Sequence, residues 1–291
     1  MRKTRGEIIF GYCNGVFLAL LCFTMVYPLI YVIAASFSDP ILFITHRGPL
    51  FKSLGFTLDA YKNVLSNRNI ASGYRVTLFV VPVGTVINMF LTLLGAYFLS
   101  RRGSLWVRPV MMLITFSMFF SGGMIPLYLV VRQVGLYNSI WALIIPSAIT
   151  TYNMIIMRTS LMGVPVDLED SARMDGAKDF TILFKILVPV VMPTIAVLIL
   201  FYGVGHWNSW FSAMLYIRQR SLYPLQLILR EILIQNSADS MLTEVAVDRR
   251  QFVIIIVKYA VIVVSTLPIL CLYPFLQRYF VKGVMVGSLK G

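Results

Sequence analysis

The chain has 291 residues, 58% of them hydrophobic and only 13% charged, about half the charged share of roughly 25% that soluble domains carry; a water-soluble globular domain is excluded, and lipid must serve as part of the solvent. A formal net charge of +13 raises nucleic acid as a partner, but the basic residues are scattered over the ends of apolar runs without an aromatic-basic face, which fits helix anchoring and excludes a nucleic-acid interface. Cys13, Cys22 and Cys271 sit in apolar runs without paired spacing and the only histidines are His46 and His206, so no metal site is expected and the thiols read as small buried hydrophobes.

A spanning helix takes about 20 apolar residues, and six segments qualify: 12–35, 75–99, 107–131, 139–157, 190–211 and 252–277. They define an all-α, six-span membrane domain over 12–277, with an N-terminal segment 1–11 and a C-terminal tail 278–291. The start, with Arg2, Lys3 and Arg5, resembles the front of a secretory signal. The apolar run behind it is too long and lacks a small-residue cleavage site, so it reads as the first span. The short loop after the second span holds Arg101, Arg102 and Arg108, whereas the turn after the third holds only Arg132. The positive-inside rule therefore puts the first of these on the cytosolic side, and with it both termini and the loop 158–188. The long loops 36–74 and 212–251 then face out. Pro28, Pro82, Pro126, Pro146, Pro193 and Pro268 each fall within a predicted span, so kinks are expected.

Polar groups inside spans are costly in lipid and should face the bundle interior. Asn88 lies about 20 Å along its helix from Arg75, and Asn153, beside Tyr152, lies about as far from Ser139. Each either lines a solute path or holds a neighbouring helix, and the second is the ordinary use. Trp207, Asn208 and Trp210 offer aromatic faces and an amide of the kind that bind sugars. Trp207, about 25 Å from Val190, sits where an aromatic belt is the default role. His206 is expected to be a satisfied polar residue near the outer surface.

The loop 158–188 carries the strongest signal. No acidic residue occurs between Asp59 and Asp167, and then Asp167, Glu169, Asp170, Asp175 and Asp179 arrive together. Asp167 reads as an N-cap with Asp170 three positions later, an acidic variant of the capping box. Glu169 and Arg173 are spaced for an i,i+4 pair. Leu168, Ser171, Ala172 and Asp175 form a slim face that lets another protein come close. Gly176 permits the left-handed turn that ends the helix. Phe180, Leu183, Phe184 and Leu187 then make an amphipathic stripe on a second helix, with Lys178 and Lys185 off it, up to Pro189.

This segment resembles the EAA loop of ABC-importer permeases. The family's Glu-Ala-Ala falls on Asp170-Ser171-Ala172, its Gly on Gly176 and its Pro on Pro189, with Asp for Glu and Ser for Ala as departures. Asp175-Gly176-Ala177 is the form of the carbohydrate-uptake branch. So are Gly123-Met124-Ile125-Pro126, Trp207-Asn208-Ser209-Trp210 and the tail from Gln277 to Gly283. The resemblance is to the maltose-permease type on the smaller subunit's side, and within it to an oligo- and polysaccharide subgroup. It implies a type I importer fold in a bacterial plasma membrane and a coupling helix built from Asp167, Glu169, Asp170, Ser171, Ala172, Arg173, Asp175, Gly176 and Ala177. It also implies two ATP-binding subunits, a second homologous permease, and an extracellular binding protein that delivers carbohydrate. The chain has no Walker A string, so ATP and magnesium belong to the partner subunits and no cofactor is expected here. A secondary, ion-coupled transporter is the alternative. It would bury an acidic residue, and the six spans contain none. A membrane enzyme would need a catalytic constellation that two dispersed histidines do not supply.

Overall fold

The computed structural model describes residues 4–101, 105–242 and 255–271. Arg2, Lys3, Arg102, Arg249, Arg250, the ends of the last predicted span and the whole tail lie outside them. The described residues are helical, with a single isolated antiparallel bridge, Ser38 to Phe56. The chain divides into two compact units, Met1–Ile70 with Leu229–Leu267, and Ala71–Ile228 with Pro268–Gly291.

The first unit opens with α1 (Arg5–Ser36), started by a complete capping box. Glu7 donates its N–H to Thr4 Oγ1 at 3.4 Å and its carboxylate accepts from the Thr4 N–H at 2.8 Å, which satisfies two of the orphan donors every helix start leaves. Of the whole helix only Ala34, Ala35 and Ser36 are buried by the chain itself. The rest is an apolar surface for lipid or another protein. Two short helices follow, α2 (Pro40–Thr45), capped by Asp39, and α3 (Asp59–Ser66). Ser36 Oγ and Tyr61 Oη share a 2.8 Å hydrogen bond that ties α3 to the end of α1. Burial raises the Tyr61 phenol above its ordinary pKa, and the Ser36 bond partly counters this.

The second unit is organised along α4 (Arg68–Ser100), which begins just before it. Beyond it come α5 (Val107–Phe119), α6 (Met124–Gln133), two 3-10 turns over Ile140–Leu143 and Ile145–Ser147, α7 (Thr151–Met162) and α8 (Val166–Met174). Then a continuous helical run joins α9 (Asp179–Thr181), a π-helical turn Ile182–Leu187 and α10 (Val188–Val190). It leads to α11 (Met192–Trp207), α12 (Phe211–Tyr216) and the first turn of α13 (Leu225–Leu242). The rest of α13, and the last described helix, α14 (Ile255–Cys271), as far as Leu267, belong to the first unit.

Three of the predicted spans are not straight helices. Segment 107–131 breaks between α5 and α6 with a bend of 117°, 139–157 breaks between the 3-10 turns and α7 with 50°, and the α9–α10 run meets α11 at 87°. The causes are local. Ser121-Gly122-Gly123 interrupts the first, and Gly123 takes φ 87°. Pro146 sits in the second 3-10 turn, and Pro193 occupies the first turn of α11, where its missing N–H costs nothing. Pro28 and Pro82 instead lie inside α1 and α4, which run on through them. The predicted outer loop 212–251 is itself largely helical where described, through α12, a 3-10 turn and α13. The cysteines are a further correction. Cys13, Cys22 and Cys271 are exposed on the chain's surface, on apolar faces that need lipid or a partner to cover them.

The core of the second unit packs Leu93, Ala96 and Leu99 of α4 against Met154, Met157 and Leu161 of α7. Ile182, Leu183 and Leu187 of the π-helical turn and Leu198 of α11 close it.

Candidate functional site

The acidic loop folds as a helical elbow. Pro165, with φ −56° and ψ 133°, precedes α8, which starts at Val166 without any side-chain cap. The expected N-cap at Asp167 and its capping box with Asp170 are therefore absent. The helix begins one residue before Asp167, so that carboxylate lies within the first turn, beyond reach of a capping bond. Asp167 and Glu169 still favour the positive end of the helix. The far end matches expectation. Gly176 has φ 78°, Gly176 N–H donates to Arg173 O at 3.0 Å and Ala177 N–H to Ala172 O at 2.9 Å, the paired bonds of a Schellman motif.

The expected Glu169–Arg173 pair does not form. Glu169 instead accepts from Arg101 Nη1 at the end of α4, and this pair is three-quarters shielded, with side-chain exposures of 23% and 18%. Arg173 Nη2 donates to Asp179 Oδ1 at 2.7 Å across the turn, and Tyr97 Oη donates to the same oxygen at 3.1 Å. The Arg101 guanidinium also lies 3.7 Å over the Tyr97 ring, and Arg158 Nε donates to Leu99 O at 2.9 Å. Three contacts, Arg101–Glu169, Tyr97–Asp179 and Arg158–Leu99 O, thus pin the elbow and the end of α7 to the last turn of α4. A shielded partner outcompetes an exposed one because less solvent screens it.

Of the expected slim face, Leu168, Ser171 and Asp175 are exposed and only Ala172 turns inward. Ala172 is buried in the core beside Leu161, Val164, Ile182 and Leu183, so its small size serves close packing within the chain. The outward face carries Asp167, Asp170, Ser171 and Asp175 around two apolar side chains, Leu168 and Met174. Met174 is 88% exposed. Its only sequence signal is a large apolar residue between Arg173 and Asp175, and sequence reasoning did not single it out. The predicted stripe also divides. The wider π-helical turn puts Ile182, Leu183 and Leu187 inside, while Phe180 and Phe184 stay exposed and stack on each other at 6.3 Å. Lys178 and Lys185 are exposed.

The expected path residues separate into different places. Asn88 is 1% exposed; it donates from Nδ2 to Ser147 O at 2.7 Å, and its Oδ1 lies 3.0 Å from His206 Nε2. Asn88 thus joins α4, a 3-10 turn and α11, and His206 is buried and satisfied rather than superficial. One turn along α4, Thr92 Oγ1 and Tyr202 Oη are 2.7 Å apart, and Tyr202 Oη accepts from Thr150 N–H at 3.3 Å. Asn153 is buried on α7 and Tyr152 is exposed beside it. Trp207 is buried, which contradicts the belt role. It lines an apolar groove of about 710 Å³ with Val81, Thr85 and Met89, and its indole N–H has no acceptor among the described residues. Asn208 is exposed and Trp210 half-buried, and with Asn88 they border one small polar cavity.

Residues 68–286 match the family of binding-protein-dependent transport system inner membrane components. The polygalacturonan/rhamnogalacturonan transport system permease protein YtcP of Bacillus subtilis is 42% identical over 288 residues, covering 98% of this chain and 97% of that protein. Protein LplC of the same organism is 39% identical over 296 residues, covering 100% of this chain and 98% of its own. A chain of the crystal structure of a bacterial ABC transporter involved in the import of the acidic polysaccharide alginate has a TM-score of 0.87 and 30% identity, covering 96% of this chain and 99% of that one. The helical fold is thus that of a permease subunit, and the chain belongs to the binding-protein-dependent transport system inner membrane components of ABC importers.

Proposed function

We propose that this chain is one permease half of an ATP-driven importer for an oligo- or polysaccharide, and that the elbow from Asp167 to Asp179 is where ATPase motion enters it. Two ATP-binding subunits hold ATP and magnesium; a second, homologous permease completes the path, and an extracellular binding protein delivers the sugar. Both termini and the elbow face the cytosol of a bacterial cell, as the arginines of the 101–108 loop argue. Two similar proteins are named for acidic polysaccharides, polygalacturonan and alginate, which supports a uronate-rich substrate.

The observation that carries this reading is the pinning of the elbow to α4. The Arg101–Glu169 pair and the Tyr97–Asp179 bond make α8 and the end of α4 one mechanical piece. When the ATPases close and draw Leu168 and Met174 inward, α4 must follow. The same helix carries Asn88 and Thr92, bonded to the 3-10 turn and to α11. A pull at the elbow therefore reaches the middle of the bundle, which is what alternating access requires.

The test is reconstitution of the complete transporter in proteoliposomes with a labelled oligogalacturonate. Uptake is expected to need both ATP and the loaded binding protein. Uptake driven by a proton or sodium gradient without the ATPases would overturn the reading.

A further inference from the structure

We infer that this chain supplies a sugar subsite of its own, in the cavity where α11 passes into α12. The inference rests on the carbohydrate reading above and goes beyond it by naming the contacts. The cavity holds about 290 Å³, at the low end of the ~300–1,000 Å³ that small-molecule sites span, so it takes one sugar unit of a chain.

The floor is a fixed polar pair. Asn88 and His206 are both buried; they bond each other at 3.0 Å, and Asn88 also bonds Ser147 O at 2.7 Å. The position of His206 depends on Gly84. A Cβ there would lie 2.5 Å from His206 Nε2, so only glycine lets the ring reach Asn88. The rim is open. The side chains of Asn208, Ser209 and Ser212 border the cavity and make no hydrogen bond among the described residues. They offer an amide and two hydroxyls to a ligand. Trp210 and Phe211, whose rings meet edge-to-face at 5.4 Å, complete the wall. Aromatic faces cover the C–H side of a pyranose while amide and hydroxyl groups bond its hydroxyls.

No Asp, Glu, Lys or Arg lines the cavity. A uronate carboxylate would find no countercharge in it, and leaving an anion unpaired in this setting is costly. The subsite therefore reads hydroxyls and ring shape. Recognition of any acidic group lies elsewhere in the transporter. A phospholipid headgroup fits poorly for the same reason. Simple hydration of the cavity is the competing outcome.

The experiment uses the complete transporter with its binding protein and two labelled oligosaccharides that differ at one hydroxyl. Asn208→Ala and Ser209→Ala should each lower the sugar moved per ATP hydrolysed and change the uptake ratio between the two sugars by about fivefold, the worth of a lost hydrogen bond. Gly84→Ala should do the same by displacing His206. A merely structural defect would lower both sugars equally. Ser209→Cys, in a chain whose native cysteines are replaced, gives a second readout that needs no transport. A water-soluble maleimide should label it several-fold more slowly with sugar-loaded than with sugar-free binding protein under non-hydrolysable ATP. An unchanged uptake ratio in all three variants, or equal labelling rates, overturns the subsite and assigns the cavity to water. Failure of the transporter to move any carbohydrate would overturn the broader reading instead.

Discussion

At the scale of single residues, Glu169 passes over Arg173, four positions along its own helix, and takes Arg101 from 68 positions away. An exposed i,i+4 pair contributes about 0.3–0.5 kcal/mol, whereas a shielded, charge-assisted bond contributes roughly 1.5–3 kcal/mol, so the distant partner wins. Gly176 poses the opposite kind of problem. A Cβ there would meet nothing within 4 Å, so only its φ of 78° resists substitution. Gly176→Val should cost about 1–2 kcal/mol through the backbone alone and reduce sugar moved per ATP. Chemical denaturation of the purified complex measures the first and vesicle uptake the second. Ala172→Trp should cost about 1–3 kcal/mol by overpacking against Leu161 and Ile182. It should uncouple transport by unseating the elbow from its own chain, with membrane insertion kept.

At the scale of elements, α4 is bonded to the elbow at one end and to α11 in the middle. Tyr202→Phe removes the Thr92 bond and the acceptor for Thr150 N–H. It should lower stability by about 1–3 kcal/mol, since buried groups are left unpaired, and a shift in thermal melting would report it. The existence of the helices, the Gly176 turn and the carboxylate cluster were legible because they depend on neighbours a few residues apart. The bends beside Pro146 and Pro193 were legible from the prolines, but their size and the break at Ser121-Gly122-Gly123 were not. Hydropathy sums apolar content over a window and is blind to a change of direction inside it. The inward turn of Ala172 and the split of Phe180 and Phe184 from Leu183 and Leu187 depend on what α8 and the π-helical turn meet in space. Period alone does not carry that. The same holds for Trp207, whose burial follows from the neighbours lining its groove and not from its position along the span.

At the scale of the whole molecule, much apolar surface remains to be covered. Ile9, Phe10, Val16, Leu20 and Met25 along α1 are all exposed, and no residue of α5 is buried. That surface is left for lipid or another membrane subunit to cover. The proposed orientation has a direct check. Ser171→Cys on the exposed face of the elbow should react with a membrane-impermeant thiol reagent only in inside-out vesicles, and labelling of intact cells would reverse the topology. The central claim is that force entering at the elbow reaches α4 through Arg101 and Glu169. Sugar moved per ATP hydrolysed, measured in proteoliposomes for Arg101→Glu, Glu169→Arg and the charge-swapped double variant, tests it most directly. Each single change should lower that ratio about tenfold, and the swap should recover most of it, a coupling on the order of 1–2 kcal/mol. Single variants that keep the parent ratio, or a swap no better than either single change, would contradict the account.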